Sequence, residues 1–361
     1  MGLRYRVTEL EVRDHPEAVV SAHTRVLIVA RRELVEVEGP DDLRIEWNGD
    51  LGLNPEIIDS NLETRFAAGA HTVTAEGAAG GSSVSVGAWE SEVEVVNGVL
   101  HPSGEGKAFF ITDEPQMPVI TARLRIIGPA TATVNNWTCG VSFRGAINTC
   151  PNVPHFGVIN DDLELTQAGG DQFTPNFDKV RGNFVGFSVR FTIGGQTHEP
   201  FGTGASILGT NPQQSQVQAA LPHDTLRRIA CRESGQRQFD AAADGGVSEC
   251  PLYSSDRRGR VGIMQVPDPT PDHIWNWRLN VEKGIEIFNE RVAAAGEYPS
   301  RVRNSEEFNR LVVQFNQRRQ QQGLDPIQVI LPEFTAGNFD GDDDLQQLEL
   351  DAIRGYNGWH G

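Results

Sequence analysis

The sequence predicts a multidomain chain in which all-β sandwiches come first and a mostly α domain follows. Three observations carry this reading. The chain has 361 residues, too many for one ordinary core. Up to about residue 205, apolar side chains recur at every second position between short Gly, Pro, Asn and Asp interruptions. After Gly202-Thr203-Gly204 they recur at helical spacing instead.

In the first part, Val35 and Val37 alternate with Glu36 and Glu38, the period of a half-buried strand. His71-Thr72-Val73-Thr74-Ala75 and Ser83-Val84-Ser85-Val86 flank Gly80-Gly81, which reads as a hairpin turn. Phe187, Val189, Phe191 and Ile193 alternate with Ser188, Arg190 and Thr192, and Gly194-Gly195 follows as a second turn. A division near Asn97-Gly98 gives one small sandwich over residues 1–96, with Trp47 and Trp89 as core aromatics. A second, more irregular β domain then covers residues 97–205. In residues 206–361, Thr225-Leu226-Arg227-Arg228-Ile229-Ala230 reads as a short helix. Val281, Ile285, Phe288 and Val292 share one helical face. Residues 304–322 read as a further helix with Phe308, Leu311, Val312 and Phe315 on its apolar side, ended by Gly323 and Pro326. Residues 345–354 read as another.

Charge and composition exclude several function classes. A net charge of −18 disfavours nucleic acid, because phosphate binding needs a basic surface. The only lysines are Lys107, Lys179 and Lys283, so a polybasic membrane patch is not expected either. No apolar run approaches the ~20 residues of a membrane span. The start, Met1-Gly2-Leu3-Arg4-Tyr5-Arg6, leads into charged residues without the apolar stretch of a signal peptide. Four cysteines fall into two local pairs, Cys139 with Cys150 and Cys231 with Cys250, so two intradomain bridges are one expectation and four buried thiols the other.

No metal or cofactor is expected. Zinc motifs of the His-Glu-x-x-His or Cys-x-x-Cys type are absent. The acidic run Asn338-Phe339-Asp340-Gly341-Asp342-Asp343-Asp344 places Glu349 at position 12 of a calcium-type loop, but position 6 is Asp343 where the turn needs glycine. Its plainer reading is an anionic start to the helix at 345–354.

The chemistry-bearing motifs all lie in the last part. Cys231-Arg232-Glu233-Ser234-Gly235 puts a carboxyl at a helix end, with Gly235 suited to the left-handed turn that stops a helix. Gly262-Ile263-Met264-Gln265 follows, then Asn280 with Gly284 at the start of a long helix, and finally Gly355-Tyr356-Asn357-Gly358. A carboxyl in a partly apolar setting, here supplied by Leu226, Ile229 and Ala230, has its pKa raised and can protonate a poor leaving group near neutral pH. The negative end of the helix dipole acts in the same direction.

These four motifs, in this order, resemble the lysozyme-like domain of soluble lytic transglycosylases and goose-type lysozymes over roughly residues 210–361. The preceding part resembles bacterial immunoglobulin-like domains in a general way. The resemblance implies a peptidoglycan-cleaving muramidase acting on the bond between N-acetylmuramic acid and N-acetylglucosamine. It implies Glu233 as the catalytic acid. It also implies Ser234, Gly262, Met264, Gln265, Asn280, Tyr356 and Asn357 around the glycan, with Tyr356 orienting Glu233. From the residues alone, Met264 reads more readily as core packing, and Tyr356 as either a core tyrosine or a site residue. Asp256, in Asp256-Arg257-Arg258-Gly259-Arg260-Val261-Gly262, is similar in place to an aspartate that helps position water in goose-type lysozymes. The plainer reading is a loop carboxylate paired with Arg257 or Arg258. Asp240 is a weaker candidate. Such an enzyme acts in the periplasm or cell wall, and without a visible signal peptide it would be carried there by a secretion machine or a phage particle through the β domains. The family usually continues with more helix past the Tyr-Asn pair, whereas this sequence stops at Trp359-His360-Gly361. A non-catalytic, glycan-binding or adaptor protein is the competing expectation.

Overall fold

The structure is a computed structural model that describes residues 1–15, 17–142, 150–152, 163–199, 202–240, 247–248, 250–328, 352–353 and 356. The chain begins with β1 (Gly2–Val12), β2 (Val19–Ser21), β3 (Val26–Val37), β4 (Ile45–Gly49), β5 (Leu53–Ile58), β6 (Asn61–Arg65), β7 (Gly69–Gly77) and β8 (Gly80–Val95). It continues through β9 (Val99–Leu100), β10 (Lys107–Phe110), β11 (Ala122–Ile127), β12 (Thr133–Ser142), β13 (Leu163–Ala168), β14 (Gln172–Phe173), β15 (Asn183–Ile193), β16 (Gln196–His198) and β17 (Thr203–Thr210). Then come α1 (Gln214–Ala220), α2 (Asp224–Ser234), the short β18 (Val247–Ser248), α3 (Pro271–Trp275), α4 (Trp277–Asn304) and α5 (Glu306–Gln321).

The strands form three sheets. Their orders are β1-β3-β6-β5, β14-β11-β8-β7-β4 with β2 beside β8, and β13-β12-β15-β17-β10-β9 with β16 and β18 at its margins. Alternation explains the faces. Phe187, Val189, Phe191 and Ile193 of β15 are buried, while Ser188 and Arg190 are exposed. Gly194 and Gly195 both take positive φ and join β15 to β16 in a two-residue turn, with Ile193 opposite Gln196. The other expected hairpin turns one step earlier. Gly77 pairs with Gly80, so Ala78 and Ala79 make the turn and Gly80-Gly81 opens β8.

Strand β8 belongs to two cores. Its first half pairs with β7 and gives Val86 and Ala88 to a core with Val7, Ile28, Trp47 and Leu62. Its second half pairs with β11 and gives Trp89, Val93 and Val95 to a larger core with Trp137, Phe187 and Phe191. Trp47 and Trp89 are both buried, as expected of core aromatics, but they serve different cores.

The expected fold class is corrected here. The chain is mostly β, with eighteen strands against five helices among the described residues, and the C-terminal part is not an α domain standing by itself. Phe239, Tyr253, Val261, Ile274 and Trp275 are built into the large β core. The join is close: a Cβ on Gly209 of β17 would lie 2.4 Å from the Phe239 ring, and one on Gly182 would lie 2.2 Å from Trp275. Polar ties reinforce it. Arg181, almost wholly buried, pairs with Asp272 at 2.7 Å, the Trp277 indole donates to the Asp113 carbonyl at 2.6 Å, and Arg278 donates to Glu114 at 2.7 Å. Helical periodicity reports a face to be buried, not what buries it: Ile274 and Trp275 of α3 pack into the β core. A smaller core of Val217, Leu226, Ile229, Ile263, Met264, Trp277, Val281 and Phe288 fills the space between the helices.

The cysteine pairing is corrected as well. The bridge joins Cys150 to Cys250, with Cα atoms 5.3 Å apart at a sequence separation of 100, while Cys139 and Cys231 are free. Cys139 faces inward on β12 between Trp137 and Val141, and Cys231 lies on the exposed side of α2. Neither therefore meets its neighbour in sequence. A bridge over so long a loop restricts the unfolded chain by about 4.7 kcal/mol on the entropy model. Replacing both Cys150 and Cys250 by serine is expected to lower the unfolding free energy by about 2–5 kcal/mol in denaturant titrations. Equal midpoints and slopes for the variant and the parent would remove the bridge from this account.

Candidate active site

Helix α2 forms because Leu226, Ile229 and Ala230 present one buried stripe to the small core. Gly235 ends it in the left-handed region at φ 64°. Its N–H donates to the Cys231 carbonyl at 3.0 Å, and the Gln236 N–H donates to Ala230 at 3.1 Å, the paired bonds of a glycine-stopped helix. Glu233 therefore sits in the last turn, half-buried. Burial is the largest influence on its carboxyl and raises its pKa above the ordinary carboxylate value; the charge of Asp256 adds to this, while Arg260 and Arg232 oppose it.

The helix end is fastened to the second motif. The Ser234 hydroxyl is buried and donates to the Ile263 carbonyl at 2.8 Å. Residues Val261 and Val266 pair across a tight reversal formed by Gly262, Ile263, Met264 and Gln265, with N–H to O distances of 3.2 and 3.0 Å. Gly262 has φ 76°, and a Cβ there would lie 2.4 Å from Gln238 Oε1 and 2.6 Å from Asn280 Nδ2. Glycine is thus required by two packed amide side chains and by the backbone angle. Gln265 is almost fully buried, and its Nε2 donates to the Gly262 carbonyl at 3.0 Å.

Asn280, on α4, is fully buried behind this reversal. Its Oδ1 accepts from the Met264 N–H at 2.9 Å, and its Nδ2 donates to the carbonyls of Val261 at 2.9 Å and His273 at 3.1 Å. Gly284, one turn further along α4, makes room for Met264, whose Cβ would lie 2.3 Å from a Cβ on Gly284. Met264 is itself wholly buried, in line with core packing.

Tyr356 closes the group from the end of the chain. Its hydroxyl donates to the Met264 carbonyl at 2.5 Å, rather than to Glu233, and its ring lies 6.4 Å from that of Phe288. Burial raises its pKa, and the charge of Glu233 acts in the same direction. Asn357 lies outside the described residues, as does the acidic run at 338–344 with Glu349. Asp256 is part-exposed, at 40% of its side chain. Its Oδ1 accepts from the Ser254 hydroxyl at 2.6 Å and the Arg258 N–H at 3.1 Å, and its Oδ2 pairs with Arg260 at 3.2 Å. These partners, the Ser254 hydrogen bond first, hold its carboxyl below the ordinary range. The Asp240 N–H is paired with the Cys250 carbonyl at 2.9 Å.

The described candidates thus fall into two sets. Glu233, Asp256 and Tyr356 are the titratable residues. Ser234, Gly262, Met264, Gln265 and Asn280 form the packed scaffold that joins the end of α2, the reversal and α4. Two further residues were not singled out from sequence. Gln238, fully buried, donates to the carbonyls of His273 at 2.9 Å and Ile274 at 2.7 Å, and accepts from the Ile263 N–H at 3.3 Å. Arg260 pairs with Asp256 at 3.2 Å; its spacing of four from Asp256 was the available signal. A cavity of about 490 Å³, lined by Met117, Pro118, Pro175, Phe177 and Lys179 among others, lies in the β part, away from Glu233. Among the described residues no cluster of three or more His, Cys, Asp or Glu is placed to hold a metal, and no helix is long and apolar enough to cross a membrane.

No family model and no curated protein matches this chain. Among solved structures it is similar to three N-terminal domains of the Highly Immunogenic Outer Capsid protein (Hoc) of bacteriophage RB49, at 12% identity and a TM-score of 0.25, covering 57% of this chain and 69% of that one. It is also similar to dimeric latent PorU from Porphyromonas gingivalis, at 10% identity and a TM-score of 0.18, over 56% of this chain and only 20% of PorU. A third likeness is to domains 4 and 5 of the S-layer protein SbsC, at 10% identity and a TM-score of 0.18, over 57% of this chain and 98% of that one. None of these likenesses bears on function.

Proposed function

We propose that this protein cleaves the β-1,4 bond between N-acetylmuramic acid and N-acetylglucosamine in peptidoglycan, with Glu233 as general acid and then general base. The observation that carries the reading is the setting of Glu233. It is a half-buried carboxyl with a raised pKa, at a glycine-stopped helix end, fastened to a rigid reversal that Tyr356 also grips. Burial lets it keep a proton to give to the glycosidic oxygen as the bond to the sugar C1 breaks.

The state of Asp256 bears on the second half of the reaction. An inverting hydrolase needs a carboxylate that takes a proton from water. Asp256 has its pKa lowered and its oxygens occupied, which makes it a weak base. The arrangement favours a single-acid route: the substrate's own C6 hydroxyl attacks C1, its proton passes to the Glu233 carboxylate, and a 1,6-anhydro end is left. No redox partner is needed, and Glu233 returns to its protonated form. Mass spectra of fragments from purified sacculi test this. Anhydro ends are expected, and reducing ends would restore Asp256, or a water it holds, to the mechanism. The cell wall or periplasm is the place of action under this reading.

The starting form of the enzyme has Glu233 protonated, so the rate is expected to fall as pH rises through its raised pKa. A rate still climbing across that range would oppose Glu233 as the acid.

A further inference from the structure

We infer that the Cys150–Cys250 bridge is a redox-sensitive clamp on the chain segment that joins the two halves of the candidate site, so that the oxidised protein is the competent form and the reduced protein is not. The inference rests on the glycosidase reading of the site and adds a means of regulating it.

The segment is 250–254, the middle of three that lie side by side. On one flank it pairs with the chain that follows the Glu233 helix. The Asp240 N–H donates to the Cys250 carbonyl at 2.9 Å, the Leu252 N–H donates to the Gln238 carbonyl at 3.0 Å, and Pro251 pairs with Phe239. On the other flank it pairs with the chain entering the reversal. The Gly262 N–H donates to the Leu252 carbonyl at 2.9 Å, the Ser254 N–H donates to the Arg260 carbonyl at 2.9 Å, and Tyr253 pairs with Val261. Gln265, inside the reversal, donates from Nε2 to the same Leu252 carbonyl at 3.3 Å. Leu252 is thus bonded to both flanks. Those flanks meet again where the Ser234 hydroxyl donates to the Ile263 carbonyl at 2.8 Å, one residue from Glu233.

The bridge fixes the head of this segment. Cys150 is buried in the large β core, and its bond to Cys250 ties the segment to that core two residues before Leu252. Phe239 and Tyr253 dock the same array on the core by packing alone. Opening the bridge therefore leaves the chain folded and frees one end of the segment, which loosens the bonds at Leu252 before any others. A dithiol reductant opens it in a balanced step. The reductant's two sulfurs join in a disulfide, the bond between Cys150 and Cys250 breaks, and two electrons and two protons leave each cysteine as a thiol. Disulfides persist in oxidising places such as the periplasm and are kept reduced in the cytoplasm. The protein is then idle among reductants and competent where peptidoglycan lies.

Amide hydrogen exchange of the full chain, with and without dithiothreitol, tests the clamp without turnover. Reduction is expected to speed exchange at the Leu252 and Gly262 N–H by about tenfold or more, while amides paired between β12 and β15 keep their protection. With soluble peptidoglycan fragments as substrate, reduction is expected to lower kcat by about tenfold to a hundredfold with KM little changed, and reoxidation to restore it. The double variant Cys150→Ser, Cys250→Ser should match the reduced parent and no longer respond to dithiothreitol. Unchanged exchange at Leu252 and Gly262 on reduction, an equal loss of protection throughout the chain, or a double variant that still responds to dithiothreitol would overturn the inference. A parent that releases no fragments in either redox state fails the glycosidase reading instead, and leaves the exchange result standing by itself.

Discussion

Glu233→Gln is expected to lower the release of fragments from purified sacculi by about a hundredfold or more, the contribution usual for a positioned general acid. Glutamine keeps the shape of the side chain and loses only the transferable proton. The change should not unfold the protein, and the direction of the stability effect can be stated. In the folded chain burial raises the Glu233 pKa above its ordinary value of 4.5. The folded state then binds the proton more tightly than the unfolded state. The stability this gives is fully present below pH 4.5 and is lost as pH rises through the raised value. Once pH has risen through that raised value, the parent carries a disfavoured carboxylate that the glutamine variant lacks. Calorimetry from pH 4 to pH 8 should show the variant gaining on the parent as pH rises. An inactive variant that is as stable as the parent at neutral pH separates lost chemistry from lost fold.

The second large effect is structural and centres on Asn280. Asn280→Ala removes one acceptor and two donor bonds, leaving the Met264 N–H and the Val261 and His273 carbonyls without this partner in a dry interior. The Val261 carbonyl keeps the Val266 N–H and the His273 carbonyl keeps Gln238 Nε2, so the Met264 N–H is the group left stranded, and a loss of about 1–3 kcal/mol is expected in urea unfolding. Asn280→Asp keeps the acceptor for Met264 but turns an anion toward two carbonyl oxygens, so it should rescue little. Activity should fall with both, because Met264 and Ile263 carry the carbonyls that Tyr356 and Ser234 grip. A loss below about 1 kcal/mol in Asn280→Ala would mean that the reversal at 262–265 holds without it.

Local rules were well recorded in the sequence. The inward set on β15, the two-glycine turn after it, the glycine stop at Gly235 and the buried stripe of α4 all follow from spacing and from the few residues that tolerate positive φ. What spacing leaves open is which partner a buried face meets. Trp89 was placed with Trp47 as a core aromatic of the sandwich over residues 1–96, yet β8 is 16 residues long and passes from one core into the next. Residues 206–361 were read as a mostly α domain, but Phe239 packs against Gly209 of β17 and Trp275 against Gly182 just before β15, glycines that give no helical signal. The cysteines paired across 100 residues because Cys139 faces a core and Cys231 an exposed helix side.

The site followed the same pattern. The structure brings Ser234, the reversal at 262–265, Asn280 and Tyr356 into contact, and the helix end, the tight reversal and the buried asparagine are each local devices. Their division of labour was not legible. Ser234, Gly262 and Asn280 were expected around a glycan, and each is instead occupied by the protein's own backbone or amide groups. Gln238 was passed over because a lone glutamine gives no periodic signal, and its value lies in three bonds to chain segments far apart in sequence.

The most direct test of the central claim is the composition of what the protein releases from purified peptidoglycan. The account predicts soluble muropeptides cut between N-acetylmuramic acid and N-acetylglucosamine, carrying 1,6-anhydro ends, from the parent protein and not from Glu233→Gln. Release of no fragments by a folded parent, or of fragments cut only in the peptide stems, would contradict it.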